Sequence, residues 1–208
     1  IQVTLLDTPG HVDFSTEMER TLQVLDYAIL VISGSEGVQG HTRTLWRLLD
    51  IYRIPVFIFV NKMDQNRKDK ETLMSELKKQ LSDRCVEFLH DATENFYEQL
   101  AMCDETLMEY FLETGHIDTR LVKNAIKRRR VFPCYFGSAL KLDGVEEFMN
   151  GIGKYAEVPL YQKKFGARVY KIGRDDKGNR LTYMKITGGK LRVRDVIGNG
   201  DWEEKVTQ

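Results

Sequence analysis

Two stretches of the chain, Tyr27–Ile32 and Pro55–Val60, are apolar at every position. A strand with one wet face alternates apolar and polar residues, whereas one that is apolar throughout is buried on both sides. Runs of this length and kind belong in a parallel sheet covered by helices on either face. Gln2–Leu6 is short, apolar and β-branched, ends at Asp7, and reads as a third such strand. Phe14–Leu25 carries Phe14, Met18, Leu22 and Leu25 along one helical stripe, and Thr42–Tyr52 repeats the pattern with Leu45, Leu48, Leu49 and Tyr52. The first 60 or so residues therefore read β-α-β-α-β with right-handed crossovers.

The remaining chain changes texture twice. Between Asp69 and Arg130 the pattern predicts helices over Lys70–Leu81, Asn95–Met102, Glu105–Glu113 and Thr119–Arg129, with Gly115 ending the third and Asp118 or Thr119 capping the fourth. Val131–Phe136 returns to strand, and Gly144–Tyr155 reads as a closing helix. Beyond Pro159 and Lys163-Lys164 the segments Phe165–Ile172, Leu181–Thr187 and Lys190–Ile197 are β-rich and joined by glycine-containing turns, the mark of antiparallel hairpins. The domain reading is an α/β domain over 1–158 with a helical insert at about 68–130, then part of a β-barrel domain over 165–208. The chain opens inside a strand pattern without Met, which reads as a piece cut from a longer protein.

Composition narrows the classes. Length, at 208 residues, suits one full domain and part of another. The chain carries 31 Lys+Arg against 31 Asp+Glu, which excludes a uniformly basic polyanion binder but leaves room for local basic faces. No apolar run approaches the roughly 20 residues that span a bilayer. Cys85, Cys103 and Cys134 are odd in number, far apart and without a Cys-x-x-Cys pair, so they read as reduced thiols of a cytoplasmic protein.

Three polar clusters follow predicted parallel strands, at the sheet edge where α/β proteins bind ligands. In Asp7-Thr8-Pro9-Gly10-His11, the carboxylate of Asp7 suits a Mg²⁺ ion held through water, and the Gly10 amide can approach a terminal phosphate. His11 then starts a helix facing that phosphate. In Asn61-Lys62-Met63-Asp64, a pocketed carboxylate can accept from both N1–H and the 2-amino group of guanine, a pairing adenine does not offer. In Gly137-Ser138-Ala139, a backbone N–H can meet guanine O6.

With these clusters in this order, the chain resembles the GTP-binding domain of translational GTPases of the elongation factor G type, along essentially its whole length. Asp7–His11 matches the third G motif, Asn61–Asp64 the fourth and Gly137–Ala139 the fifth; Asp13-Phe14, Gly37-Val38-Gln39 and Ala167–Ile172 also fit. Asn61–Asn66, Tyr135 within Pro133–Ala139, and Leu191–Asp195 look most like the tetracycline-resistance ribosomal-protection branch. The resemblance implies a P-loop NTPase fold, GTP and GDP as ligands, Mg²⁺, and the ribosome as partner. It implies Asp7 in the Mg²⁺ shell, Gly10 on the γ-phosphate and His11 positioning the attacking water. Asn61 and Asp64 would read the guanine, the stem of Lys62 would pack over base and ribose, and Ser138 and Ala139 would close the base pocket.

No Gly-x-x-x-x-Gly-Lys-Ser/Thr occurs in the 208 residues. The family's first G motif supplies several charged hydrogen bonds worth about 1.5–3 kcal/mol each. Losing three or four removes roughly 5–10 kcal/mol, against about 8 kcal/mol for micromolar binding. These 208 residues alone are therefore expected to bind GTP very weakly and hydrolyse none, while the parent protein does both. An open sheet edge is expected too, with dimerisation, strand exchange or disorder over Pro9–Gln23.

Two basic sets stand out. Lys123, Lys127 and Arg128–Arg130 fall at a predicted helix C-terminus, where cations favour the dipole. Lys190, Arg192 and Arg194 alternate along a predicted strand face and, with Lys171, Arg174 and Arg180, are the better candidates for ribosomal RNA. Two other readings share these motifs: an elongation factor G paralogue driving translocation, and a non-catalytic RNA-binding scaffold. The intact Asp7–His11 and Asn61–Asp64 clusters speak against the scaffold.

Overall fold

Four parallel strands form the central sheet: β1 (Ala28–Ser33), β2 (Val56–Asn61), β3 (Cys85–Glu87) and β4 (Phe132–Phe136), in the order β1-β2-β4-β3. The computed structural model of the chain describes residues 2–7, 15–65, 68–88, 93–198 and 201–207, with backbone alone at 15–18. Register runs Ala28 to Val56, Ile58 to Cys134 and Cys85 to Phe132. Every side chain from Val56 to Val60 is buried, as the unbroken apolar run requires.

Helices cover the two faces. Phe59 and Tyr135, paired across β2 and β4, both pack on Phe148 of α7 (Val145–Tyr155), with ring centroids 5.0 and 5.3 Å apart. Phe132 points the other way and meets Trp46 of α2 (Gly40–Ile51) at 4.6 Å. Between β2 and β4 lie α3 (Lys70–Gln80), α4 (Glu94–Ala101), α5 (Glu105–Thr114) and α6 (Thr119–Lys127). The last three feed one continuous core: Phe96, Leu100, Leu107, Val122 and Ile126 join Phe57, Phe88 and Tyr155. Asp118 caps α6 by accepting from the Arg120 amide at 2.7 Å, and Gly115 closes α5 in the left-handed region at φ 71°.

The chain divides into two compact units, Ile1–Ser15 with Leu25–Val158, and Thr16–Val24 with Pro159–Gln208. In the second, β5 (Gly166–Arg174) pairs antiparallel with β6 (Arg180–Gly188), and β7 (Val196–Gly198) with β8 (Glu203–Lys205). The short helix α1 (Ser15–Leu22) falls almost wholly in this second unit. Among the described residues no helix is long and apolar enough to cross a membrane.

Several sequence expectations need correction. Residues 2–6 do not form a strand, and Val3 and Leu5 stand exposed. A strand exists through its ladder, and β2 is the neighbour that pairs with β1 among the described residues, so no ladder reaches 2–6. Among the described residues β1 stands at one end of the sheet with β2 as its neighbour; Ile29 and Val31 are 40% and 59% exposed, so the burial on both faces expected for Tyr27–Ile32 holds on one face of β1 alone. Lys190–Ile197 is strand only from Val196; Arg192 and Asp195 close a turn, with Arg194 at φ 77°, so Lys190, Arg192 and Arg194 share no strand face. Arg129 is not a surface cation at a helix end. It is buried, lies over the Trp46 and Phe132 rings at 5.2 and 5.1 Å, donates to the Ile54 carbonyl, and approaches Asp50 at 3.4 Å. The three cysteines are free and buried; burial pushes the Cys103 thiol up to about 12 and raises the Cys134 thiol as well, so neither of these two is a ready nucleophile.

Gly151 in α7 sits directly against Tyr135, and a Cβ there would overlap the tyrosine hydroxyl. Alanine normally gains up to about 1 kcal/mol over glycine in a helix, whereas overpacking costs about 1–3 kcal/mol. Gly151→Ala is expected to lower stability by roughly 1–2 kcal/mol in urea unfolding, and to lose less in a Tyr135→Phe background, where the overlapping oxygen is gone.

Candidate functional site

The carboxyl ends of β2 and β4 emerge side by side, with Val60 paired to Phe136. Polar residues cluster there because the strands are sealed in apolar packing up to that point. The Gly137 amide donates to the Val60 carbonyl at 2.9 Å, and the Met63 amide to the Gly137 carbonyl at 3.1 Å. Asn61 joins the two loops: its Oδ1 accepts from the amides of Lys62 at 2.8 Å and Ala139 at 2.9 Å. Lys62 has φ 63°, the left-handed conformation that turns the chain sharply after Asn61. Asp64 follows in a 3₁₀ turn, Met63–Gln65.

Across from it, Ser138 and Asp143 exchange backbone hydrogen bonds at 2.9 and 3.1 Å, folding the 138–143 loop back on itself. That fold needs Gly137, since a Cβ there would overlap the Asp143 carbonyl oxygen. Ser138 is 1% exposed, and its Oγ has no partner of full hydrogen-bond geometry. The hydroxyl nevertheless stands near enough to Asp64 to hold that carboxyl below the usual carboxylate range, and Lys141 adds to this at 3.9 Å. The Asp64 side chain remains 20% exposed. The result is an ionised, outward-reaching carboxylate beside a buried hydroxyl with spare hydrogen-bonding capacity. Such a carboxylate suits a planar ligand edge presenting two parallel N–H groups.

The structure thus brings Asn61, Lys62, Asp64, Ser138 and Ala139 together. The amides of Gly137, Ser138 and Ala139 all have partners inside the protein. A base oxygen can reach the Ala139 N–H only if that group leaves Asn61 Oδ1. Lys141 was not read from the sequence, because nothing periodic marks a lysine whose importance comes from a loop folding back. Asp7 is exposed and outside any strand, and Gly10 and His11 lie outside the described residues. Among the described residues no group of three His, Cys, Asp or Glu side chains could hold a metal ion.

The loop after β1 reaches the same edge, where the Gly34 amide donates to the Asn61 carbonyl at 2.7 Å. Glu76 of α3 secures this loop: Oε1 accepts from the Val38 amide at 2.7 Å, and Oε2 meets Lys68 Nζ at 2.7 Å. Lys68 also donates to the Glu36 carbonyl at 3.2 Å.

The family description "Elongation factor Tu GTP binding domain" matches residues 1–158. The chain is 31% identical to the tetracycline resistance protein TetO of Campylobacter coli, over 100% of the chain and 35% of that protein. It is 32% identical to the tetracycline resistance protein TetP of Clostridium perfringens, over 99% of the chain and 36% of that protein. The chain therefore spans about a third of the length of these curated relatives. The crystal structure of ttk003000868 from Thermus thermophilus superposes with a TM-score of 0.78 at 19% identity, over 96% of the chain and 37% of that protein, a likeness of fold.

Burial pushes the Glu76 carboxyl up, but the Lys68 ammonium and the Val38 amide outweigh it and leave it below its ordinary range. A carboxyl whose pKa is lowered by folding stabilises the protein above its unfolded pKa, and the gain is lost as pH falls through the folded value. Glu76→Gln is expected to cost about 1–3 kcal/mol at pH 7, by analogy with hydrogen bonds to charged groups. The gap from the unsubstituted protein should close between about pH 5 and pH 3 in urea titrations.

Proposed function

From the premise that the chain belongs to the elongation factor Tu GTP binding domain family, we propose that it holds guanine nucleotide at the carboxyl ends of β2 and β4. We further propose that the protein it belongs to hydrolyses GTP to GDP and phosphate on the ribosome, to dislodge tetracycline. The observation that carries the base assignment is the ionised Asp64 carboxylate beside the buried Ser138 hydroxyl. Asp64 accepts from guanine N1–H and the 2-amino group. Asn61 releases the Ala139 N–H it now holds, and that amide takes guanine O6. The Lys62 stem lies over base and ribose, and Ser138 and Ala139 close the pocket.

Adenine presents no matching N–H pair, and it would leave the carboxylate unpaired. A site built on polar pairing rejects such a ligand by about 10⁴-fold or more. The tetracycline resistance proteins of Campylobacter coli and Clostridium perfringens support the link to tetracycline, since the chain is about a third identical to each along its length. The cytoplasm is the corresponding location.

The hydrolytic step belongs to the loop after Asp7. Gly10 would offer its amide to the γ-phosphate, and His11 would orient the attacking water, in a reaction that depends on positioning and charge neutralisation. Asp7 would hold, through water, a Mg²⁺ ion brought by the nucleotide, which would supply charge neutralisation when bound. Asp7 alone, exposed and without companion ligands among the described residues, does not build a site for the free ion.

The test is a titration of the full-length protein with fluorescent GTP and ATP, followed by turnover with and without ribosomes. GTP should bind at least about 10³-fold more tightly than ATP, and ribosomes should stimulate its hydrolysis. Asp64→Asn should weaken GTP binding by roughly 10²- to 10⁴-fold, the loss of two charge-assisted bonds, and should improve binding of xanthosine triphosphate, whose 2-oxo group accepts from the new amide. Equal binding of GTP and ATP, or an Asp64→Asn protein with unchanged affinity, would contradict the assignment.

A further inference from the structure

Arg84, Arg128 and Arg130 line a cavity of about 520 Å³ in the parallel-sheet unit. Arg84 stands immediately before β3, and Arg130 two residues before β4. The cavity therefore lies at the amino ends of these strands, the opposite edge of the sheet from Asn61, Asp64 and Ser138. Its size falls within the roughly 300–1,000 Å³ of small-molecule sites. Buried Cys103, Leu107 and Ala125 give it an apolar wall. The backbone beneath the arginines is fixed. The Arg84 carbonyl accepts from the Phe132 amide at 3.0 Å, and the Arg129 and Arg130 amides donate to the Ile126 and Ala125 carbonyls at 2.9 and 2.8 Å, closing the last turn of α6. Arg129 takes the left-handed position of that turn, φ 58°, where glycine is usual. Its guanidinium, seated on Trp46 and Phe132, holds it there and so fixes the chain at Arg128 and Arg130 on either side.

The side chains of these three arginines are not used by the fold. Amides of the closing turn already satisfy carbonyls at the end of α6, so Arg128 and Arg130 are not needed as caps. Among the described residues none of the three guanidinium groups makes a hydrogen bond, and Arg130 alone approaches a carboxylate, its Nε 3.8 Å from Asp104. That is beyond hydrogen-bond reach, and Asp104 already accepts from the Thr106 amide at 3.1 Å. Like charges gathered around one cavity repel, and an anion between them removes the repulsion. Each guanidinium is a planar fork of donors that matches phosphate oxygens. Asp104, Glu105, Thr106 and Asn124 line the same cavity and can accept from hydroxyl groups. We propose that this cavity binds a small phosphorylated sugar, its phosphate on Arg84, Arg128 and Arg130 and its hydroxyls on the neighbouring acceptors. The inference does not depend on the guanine assignment, whose residues stand at the other edge of the sheet.

The experiment labels arginines of the full-length protein with phenylglyoxal at constant ionic strength and reads the rate at each arginine by peptide mass spectrometry. Ribose 5-phosphate, inorganic phosphate and a short RNA oligonucleotide are added separately. Ribose 5-phosphate should slow labelling of Arg84, Arg128 and Arg130 by about fivefold or more at saturation, and leave Arg120, whose side chain is 91% exposed, unchanged. Inorganic phosphate, which lacks the hydroxyls, should need about tenfold more to protect the same three. In Arg130→Gln, protection of Arg84 and Arg128 should likewise need about tenfold more ribose 5-phosphate. Absence of protection, or equal protection of Arg120, would overturn the inference. So would inorganic phosphate acting as strongly as ribose 5-phosphate, which marks a bare anion site, or protection by the oligonucleotide alone, which marks an RNA surface. A folded Arg130→Gln protein with unchanged protection would overturn it too. The labelling pattern of the unsubstituted protein decides the claim even where Arg130→Gln fails to fold.

Discussion

The burial of β2 on both faces governs the rest of the molecule. Every side chain from Val56 to Val60 is buried, with α7 packed on one face of the sheet at Phe59 and α2 on the other at Phe132 of the neighbouring β4. Polar chemistry is thereby displaced to the point where the strand leaves the sheet. Asn61 is the first residue free to be polar, and its side chain is at once used to tie the β2 and β4 loops together. Asp64, Ser138 and Lys141 are brought into one group by that tie and by the Ser138–Asp143 fold-back. The site is therefore a consequence of the sheet, made by two strand ends whose separation is fixed by ladder hydrogen bonds.

What was legible in the sequence follows the same physics. Unbroken apolar runs identified β1 and β2, and a returning strand pattern identified β4; burial on both faces holds for β2, whereas one face of β1 is exposed at Ile29 and Val31. The helices α3 to α6 could be placed within a residue or two, since their stripes repeat over several turns. β3 was missed: three residues, Cys85–Glu87, are too few for any period to show. Residues 2–6 have strand composition but no described ladder partner, and composition alone does not make a strand. Lys190–Ile197 has β-type residues, yet the Arg192–Asp195 turn wins locally because Asp195 Oδ2 accepts from the Arg192 amide at 2.7 Å.

The candidate site divides in the same way. Asn61, Asp64 and Ser138 were visible because each stands at a strand end or within three residues of one. Glu76 was not, since its hydrogen bond to Val38 spans 38 positions and no short motif announces it. Arg129 was misplaced for a related reason. A run of cations looks solvated in sequence, and only the folded chain shows one of them enclosed by Trp46, Phe132 and Asp50. Arg84, Arg128 and Arg130 became informative only together, as the fold brings them to one cavity. Roles that arise where distant segments meet must be read from the fold; roles that arise at strand ends can be read from the chain.

The loops after β2 and β4 are proposed to receive a guanine base. The most direct measurement of this is the ¹⁵N signal of the Ala139 amide in full-length protein labelled at alanine, titrated with GDP and separately with ADP. The account predicts a large shift of that signal with GDP, as the amide exchanges Asn61 Oδ1 for the base oxygen, and none with ADP at the same concentration. An Ala139 signal that stays in place with GDP, or moves equally with ADP, would contradict it.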